Sequence, residues 1–448
     1  MKKILLLIAL LPFYATADFF NAINDYQNRK YKSAYNQFLE MAKMGETRSQ
    51  FNLGVMFYNG QYVDKDINQA YAWLKLATEN EAATDQEKQT FNQISSQIAQ
   101  QKLAQKAFSD IENYSNKNLL VSLYPEFLNT QESNPDNATP LKIVQPKYPR
   151  NAAIRGLQGW VKYQFDLDIK GHPRNIILIE SIPGDTFVKN SLRAISKWRF
   201  QPSKDKAGAP IPTKNILYTM EFKLSNTDNI QIKDSALRSA EDGHQQNHPH
   251  STYQLALWSK YGLIKDSSYN STKLFLQSAV QGHPIAQFET GRSLVLGKGC
   301  KQDKSKGLIW LNRAASNGQA EAKEMLANVL MSNKDITSQR QASSYFGSIE
   351  KPSPLTKINF AKLLVYSKFT EILDPKRAIN IVDDISHKTY RDNITLYEIK
   401  AAAYFKIGKI KKAISYQEDA LEEAKDIDAD TTQAKETLEK YLLIRNSI

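Results

Sequence analysis

The chain has six histidines and one cysteine, and His244, His248 and His250 sit close together in one stretch. Clustered imidazoles are the usual nitrogen donors of zinc, which takes a tetrahedral set. The stretch Asp242-Gly243-His244-Gln245-Gln246-Asn247-His248-Pro249-His250 has no cysteine nearby and few carboxylates. It reads as a Pro- and Gly-containing linker that fixes no ligand geometry, so no metal is expected there. Asp166 and Asp168 could form an acid–base pair. Both fall on the outward side of an alternating stretch, where a solvated role is the simpler reading. Cys300 reads as a small buried apolar side chain. Trp198 and Arg199 are residue types that anchor interfaces. Core packing for Trp198, with Arg199 on the surface or paired locally, is the stronger reading. The sequence has no phosphate-cradling glycine loop and no His-Glu zinc motif. A protein that is not an enzyme and holds no cofactor is therefore expected.

The elements around these residues centre on 140–224. Val161, Tyr163, Phe165, Leu167 and Ile169 alternate with mostly polar neighbours, the period of a half-buried strand. Lys170-Gly171 supplies a turn, and Ile176 to Ile179 a second strand. Asp185 is the expected N-cap of a helix carrying Val188, Leu192, Ile195 and Arg199, flanked by Phe187 and Trp198. Phe200-Gln201-Pro202 ends that helix, and Gly208-Ala209-Pro210 turns the chain into a last strand. There Ile216, Tyr218, Met220, Phe222 and Leu224 alternate with Leu217, Thr219, Glu221 and Lys223. Such an order predicts an antiparallel sheet with a helix on one face.

This stretch resembles the C-terminal domain of the TonB family of energy transducers. The resemblance rests on Tyr148-Pro149, Gly159 before the alternating strand, Gly171 in the turn, Trp198-Arg199-Phe200-Gln201-Pro202 and the closing strand ending in Phe222. It implies a periplasmic domain whose last strand pairs with a short segment of an outer-membrane receptor. Ile216, Leu217, Tyr218, Thr219, Met220, Glu221 and Phe222 are then the expected partner-binding edge, offering unpaired backbone groups to an incoming strand. Tyr148, Pro149, Gly159, Gly171, Trp198, Arg199, Phe200 and Pro202 are the family motif, with mainly structural roles.

Helical repeats surround this domain in sequence. Leu53-Gly54, Tyr58, Gly60, Asp66, Ala70 and Trp73 resemble a Sel1-like repeat, and Ala42 and Ala77 stand 35 residues apart. The pattern returns at Ala286, Gly291, Gly297, Gly299, Asp303, Trp310 and Ala314-Ala315, with Gly282 and Gly318 36 residues apart. Tyr404, Gly408, Ala413 and Ala420 resemble a tetratricopeptide unit, and Asp374-Pro375 starts another helix. The fold class is mostly α with a central α+β domain: helical-repeat arms of Sel1 and tetratricopeptide type flanking a TonB C-terminal-like antiparallel sheet plus helix. Expected segments are a signal peptide at 1–17, Sel1-like repeats at 18–82, a helical connector and loop at 83–139, and the central domain at 140–224. A linker at 225–250, Sel1-like repeats at 251–330 and a tetratricopeptide-like region at 331–448 complete the chain. Stacked repeats leave a concave face suited to protein segments.

Lys2-Lys3, the apolar run Ile4 to Leu11 and Ala15-Thr16-Ala17 read as a cleaved secretory signal. That run is shorter than the roughly 20 residues a span needs, so no retained transmembrane helix is expected. The net charge is +12, and residues 140–224 hold 15 Lys and Arg against 6 Asp and Glu. That field suits acidic protein or anionic cell wall, and no nucleic-acid motif accompanies it. Expected partners are envelope proteins, among them outer-membrane TonB-dependent receptors or inner-membrane motor components, with peptidoglycan as a further contact. The expected role is a periplasmic interaction factor, accessory or adaptor in TonB-dependent transport. The alternative is a structural adaptor of the cell envelope that transduces no energy.

Overall fold

The computed structural model describes residues 18–80, 83–128, 139–155, 157, 159–182, 185–205, 207–223, 234–260, 264, 268–385 and 393–447. The expected signal at 1–17, the loop at 129–138, and Leu224 with residues 225–233 of the expected linker lie outside the described residues. The described chain is mostly helical, with one small antiparallel sheet region. It divides into two compact units, each drawn from two separated stretches. One combines Met1–Glu132 with Asn229–Met325, and the other combines Ser133–Asp228 with Leu326–Ile448.

The first unit is built from close helix pairs. Asp66 caps the Ile67–Thr78 helix by accepting from the Asn68 and Gln69 amides. Asp303 does the same for Lys304–Ser316 through the Lys306 amide. Gly54 lets the paired helices approach: a Cβ there would lie 2.5 Å from Leu74 Cγ and 3.1 Å from Ala70 O. Gly291 repeats the device against Gly307 O and the Leu311 amide, at 3.0 and 2.9 Å. The spacing of small residues and caps in the two repeat stretches is thus the spacing of two equivalent crossings.

The connector and the second repeat stretch share one core with Met44 of the first stretch, which otherwise builds its own core around Phe38, Leu53 and Trp73. Met44, Leu119, Leu123 and Tyr124 pack with Leu255, Phe275, Leu294, Cys300 and Trp310. Trp310 Nε1 donates to Leu123 O at 3.1 Å, and Tyr124 OH to Met44 O at 2.6 Å. Lys306 Nζ donates to Tyr124 O at 2.9 Å. Cys300 is buried, and burial pushes its thiol up to about 11 against the lowering pull of Lys306. The expected linker before the second repeat stretch is instead largely helix, Asp234–Gln245 and Pro249–Lys260. Pro249 begins a helix there, where its missing N–H costs nothing. Gly243 admits Ser251, whose Oγ would stand 2.2 Å from an added Cβ.

The second unit contains the sheet. Its strands are β1 (Pro140–Lys142), β2 (Gly159–Leu167), β3 (Pro173–Ile182), β4 (Arg199–Phe200), β5 (Ser203–Lys204), β6 (Pro210–Ile211) and β7 (Thr213–Phe222). β3, β2 and β7 form an antiparallel sheet in that order, while β1 pairs with β4 and β5 with β6. Along β2, buried residues alternate with half-buried ones from end to end. The Val188–Ile195 helix covers the buried face, with Tyr163 OH donating to Val188 O at 3.1 Å and lying 2.9 Å from Ser191 Oγ.

That helix departs from expectation at both ends. Its N-cap is Phe187 with no side-chain cap, and Asp185 contributes only its carbonyl, to the Val188 amide at 3.1 Å. It stops at Ile195, so Arg199 is not its last turn but the start of β4. The reason is burial: Trp198 and Phe200 are both core residues, two apart, and only extended backbone turns both to one side. The remaining helices are Ile336–Gly347, Pro354–Tyr366, Pro375–Asp383, Asn393–Lys406, Ile410–Asp426 and Thr432–Asn446. Asp374 caps the third of these by accepting from the Arg377 amide. Tyr404 stacks on Tyr416 at 5.4 Å. Among the described residues no helix is long and apolar enough to cross a membrane.

Candidate functional site

β7 ends the three-stranded sheet. It pairs with β2 from Phe222 opposite Gly159 to Thr213 opposite Leu167, with an irregularity between Phe165 and Leu167. Among the described residues no strand lies on its other side. Alternate backbone N–H and C=O groups of an end strand point away from the sheet. Ile216, Met220 and Phe222 are buried toward the helix, and Tyr218 meets Trp198 edge to face at 4.8 Å. Thr219 and Glu221 are exposed on the opposite face, and Leu217 stands opposite Gln164 in the register.

The motif residues build the support of that strand. Tyr148 OH donates to Leu157 O at 2.5 Å, and its ring lies against Phe187 and Phe222 at 5.6 and 5.8 Å. Pro149 stands at the N-cap of the Arg150–Ile154 helix, and Gly159 opens β2. Trp198 Nε1 donates to Val144 O at 2.8 Å. Phe200 packs on Phe165 at 5.3 Å, and Pro202 lies between β4 and β5. Gly171 has φ 83°, and a Cβ there would fall 1.8 Å from Phe200 O, so no other residue fits without moving β4.

A second cluster joins the turn after β2 to the loop before the Thr432–Asn446 helix. Asp168 Oδ1 accepts from the Lys170 and His172 amides, both at 2.9 Å, and its Oδ2 from the Asp430 amide at 3.1 Å. Burial works to raise the Asp168 carboxyl, but hydrogen bonds from His172 and Asp430 and the charge interaction with His172 overcome it and hold it at about 2. Asp168 is therefore an enclosed anchor and not the solvated side chain expected. Asp428 takes Lys170 Nζ at 2.9 Å and Arg199 Nη2 at 2.7 Å, and these contacts hold its carboxyl at about 2. Arg199 therefore pairs with a distant segment, while its Nε donates to Lys170 O at 3.2 Å. Arg174 reaches Glu398 at 2.8 Å. Sequence reasoning missed Asp428, Glu398 and the Asp430 amide, because nothing local marks a group whose partner is over two hundred residues away.

Among the described residues the histidines do not converge on a ligand set. His244 Nδ1 lies 3.0 Å from Thr252 Oγ1, His248 stacks on Phe20 at 4.7 Å, and His250 Nδ1 lies 3.4 Å from His283 Nε2. Burial, then the nearby His250 and His248, lower the His283 imidazole to about 4. Among the described residues no group of three or more His, Cys, Asp or Glu is placed to hold a metal ion.

Fold and site together define a small sheet-and-helix domain flanked in sequence by helical repeats. Residues 144–224 match the family described as Gram-negative bacterial TonB protein C-terminal, and residues 47–81 and 284–319 match the Sel1 repeat. Protein TonB of Pseudomonas aeruginosa is 34% identical over 99 residues, covering 22% of this chain and 29% of that protein. Protein TonB of Escherichia coli is 32% identical over 87 residues, covering 19% of this chain and 34% of that protein. The solution NMR structure of the Pseudomonas aeruginosa TonB C-terminal domain aligns at 30% identity and TM-score 0.19, over 21% of this chain and 94% of that one. The chain thus spans 29% and 34% of the length of these two curated relatives. It carries a TonB C-terminal-like domain flanked in sequence by Sel1-like and tetratricopeptide-like repeats.

Proposed function

We propose that this chain is a periplasmic protein-interaction factor of the TonB type, in which β7 takes an extended segment of an envelope protein as an added strand. The observation that carries this reading is that, among the described residues, no strand pairs with the outer side of β7, in a domain matching the TonB C-terminal family. Strand addition draws its affinity from main-chain hydrogen bonds and its register from alternate side chains. Partners in this reading are segments of outer-membrane receptors or inner-membrane motor components. Residues 140–224 dock the segment, while repeats at 18–82, 251–330 and 331–448 hold companion proteins. An accessory or adaptor role accords with the lack of a Pro-rich spacer, since the 16 prolines are spread along the chain. It also accords with the tie between the sheet and the C-terminal helices at Asp168, Arg199 and Asp428.

The test is proline at Thr219 or Glu221, whose side chains are exposed. Where the replaced N–H faces outward, the variant keeps its circular dichroism and its crosslinked partners fall by about tenfold or more. A folded variant of each that retains every partner would sink the reading. The basic balance of residues 140–224 favours a second reading, a structural adaptor held to the anionic cell wall. Binding to purified peptidoglycan that is lost at high salt, with no protein partner recovered, would favour it over the first.

A further inference from the structure

We propose that the first helix pair carries a docking surface for an extended, acidic, proline-bearing segment in polyproline II conformation, gripped by Tyr26, Tyr31, Tyr35 and Tyr62. Gly60 caps the Thr47–Asn59 helix at φ 68°, and two residues on Tyr62 stands at φ 70°. In the second repeat stretch Gly297 and Gly299 hold the same two places, at φ 68° and 70°. Left-handed backbone is strained for an aromatic residue and open to glycine. Arg29 repeats the exchange. It takes φ 58° after the Phe19–Gln27 helix, its amide donating to Tyr26 O at 3.0 Å, where Gly45 and Gly282 stand at other helix ends. Tyr62 is 49% exposed and Arg29 lies in solvent, so burial accounts for neither side chain. Strain kept at two exposed positions points to something the side chains do there.

Both positions flank one aromatic surface. Tyr31 and Tyr35 lie one turn apart on the Tyr31–Ala42 helix. Tyr26 meets Tyr31 at 5.5 Å and 65°, and Tyr62 meets Tyr35 at 5.4 Å and 52°. Tyr26 OH donates to Gln61 Oε1 at 2.9 Å, which ties the two margins together. Rings inclined in this way form two notches and not the flat platform on which a sugar ring stacks. Notches suit the ridged outline of polyproline II, which docks in aromatic-lined grooves. Such a segment has no internal hydrogen bonds, so its carbonyls need donors. Among the described residues the Tyr31, Tyr35 and Tyr62 hydroxyls have no partner, and each can donate. Charge then selects an acidic segment. Asp25, the acid closest in sequence to Arg29, is engaged by Lys30 Nζ at 3.6 Å, Ser33 Oγ at 2.6 Å and Gln37 Nε2 at 2.9 Å. Arg29 and Lys32 are exposed and enter no ion pair among the described residues. The margin beside Tyr31 is therefore positive and complements carboxylates in the segment.

The surface deepens the reading in which residues 18–82 hold companion proteins, and it does not depend on strand addition at β7. The test uses the full chain and a labelled peptide of repeated Pro-Pro-Glu, with binding read by fluorescence anisotropy. A Gly-Ser-Glu repeat of equal length and charge should bind more weakly by about tenfold or more, because it must be ordered on binding. Tyr62→Gly should weaken binding of the Pro-Pro-Glu peptide by about tenfold while its urea midpoint holds, since glycine suits φ 70°. Arg29→Gly should also keep its midpoint, weaken binding and flatten its salt dependence. No binding by the native chain, equal binding of the flexible repeat, or unchanged affinity in Tyr62→Gly overturns the proposal. If Tyr62→Gly does not fold, Arg29→Gly decides, and unchanged affinity there overturns it. Capture of purified peptidoglycan strands in place of the peptide, lost in Tyr62→Gly, would assign the surface to sugar and overturn it too. Thr219→Pro must leave peptide binding unchanged; loss of binding in that variant would place the peptide at β7 and not here.

Discussion

Asp168 shows how a single carboxylate can be enclosed and still ionised. Taking it out of water raises its proton affinity, and the His172 side chain together with the His172 and Asp430 amides lowers that affinity further than burial raises it. The folded carboxyl sits at about 2, below the ordinary aspartate value of 3.8. A depressed folded value adds stability above the unfolded value and loses it as pH falls through the folded one. Asp168→Asn should therefore destabilise the chain by about 1–2 kcal/mol near pH 6, a figure already reduced for solvent screening. The gap between native and variant in urea unfolding should close between about pH 4 and pH 2. A gap that persists at pH 2 would mean that the side chain acts by shape and not by charge. Gly171, in the turn between β2 and β3, was legible in the sequence because a turn after an alternating strand calls for glycine. The role of Asp168 was not, because alternation assigns a side chain to a face and says nothing of what packs there from elsewhere in the chain.

The helix crossings and the strand ends obey different local rules, and they differ in how plainly the sequence states them. Gly54 and Gly291 stand where paired helices touch, and the repeat pattern marks both because small residues recur with the caps Asp66 and Asp303. At Gly291 the neighbours are Leu311 Cγ and two backbone groups, the Leu311 amide and Gly307 O, and the backbone groups cannot yield as a flexible side chain can. Gly291→Ala gains up to about 1 kcal/mol of helix propensity. It should still lower stability, by about 1–3 kcal/mol from overpacking, as read by denaturant midpoint. A neutral or stabilised variant would mean that the crossing is looser than these distances. The stretch from Ile195 to Phe200 was misread as helix because Ile195 and Trp198 also fit a helical spacing. Burial of Trp198 and Phe200 together, opposite Tyr218, decides for extended backbone. The Asp234–Gln245 helix was hidden in the opposite way, by a glycine and a proline that usually mark loops.

At the scale of the whole chain, sequence order and spatial grouping diverge. Repeats at 47–81 and 284–319 are each legible alone, yet no pattern within either says that the core of the second also takes in the connector and Met44. What joins them is the connector Asn116–Tyr124, whose Leu119, Leu123 and Tyr124 are buried among residues of the second stretch. Trp310 is the pivot, fully buried and hydrogen-bonded to Leu123 O. Trp310→Ala removes a large core side chain, a change of about 3–5 kcal/mol, and leaves the Leu123 carbonyl without its donor. If the two stretches folded independently, the damage would stay within 284–319. With a shared core, hydrogen exchange in the full-length variant should also lose protection at the Leu123 and Tyr124 amides, both bonded to Leu119 O. The disturbance should extend to Gly45, which lies against the Tyr124 hydroxyl and Leu119. Protection unchanged at those amides, with loss confined to the second stretch, would mean that the connector merely lies beside the later repeats and does not bind the two stretches into one cooperative unit.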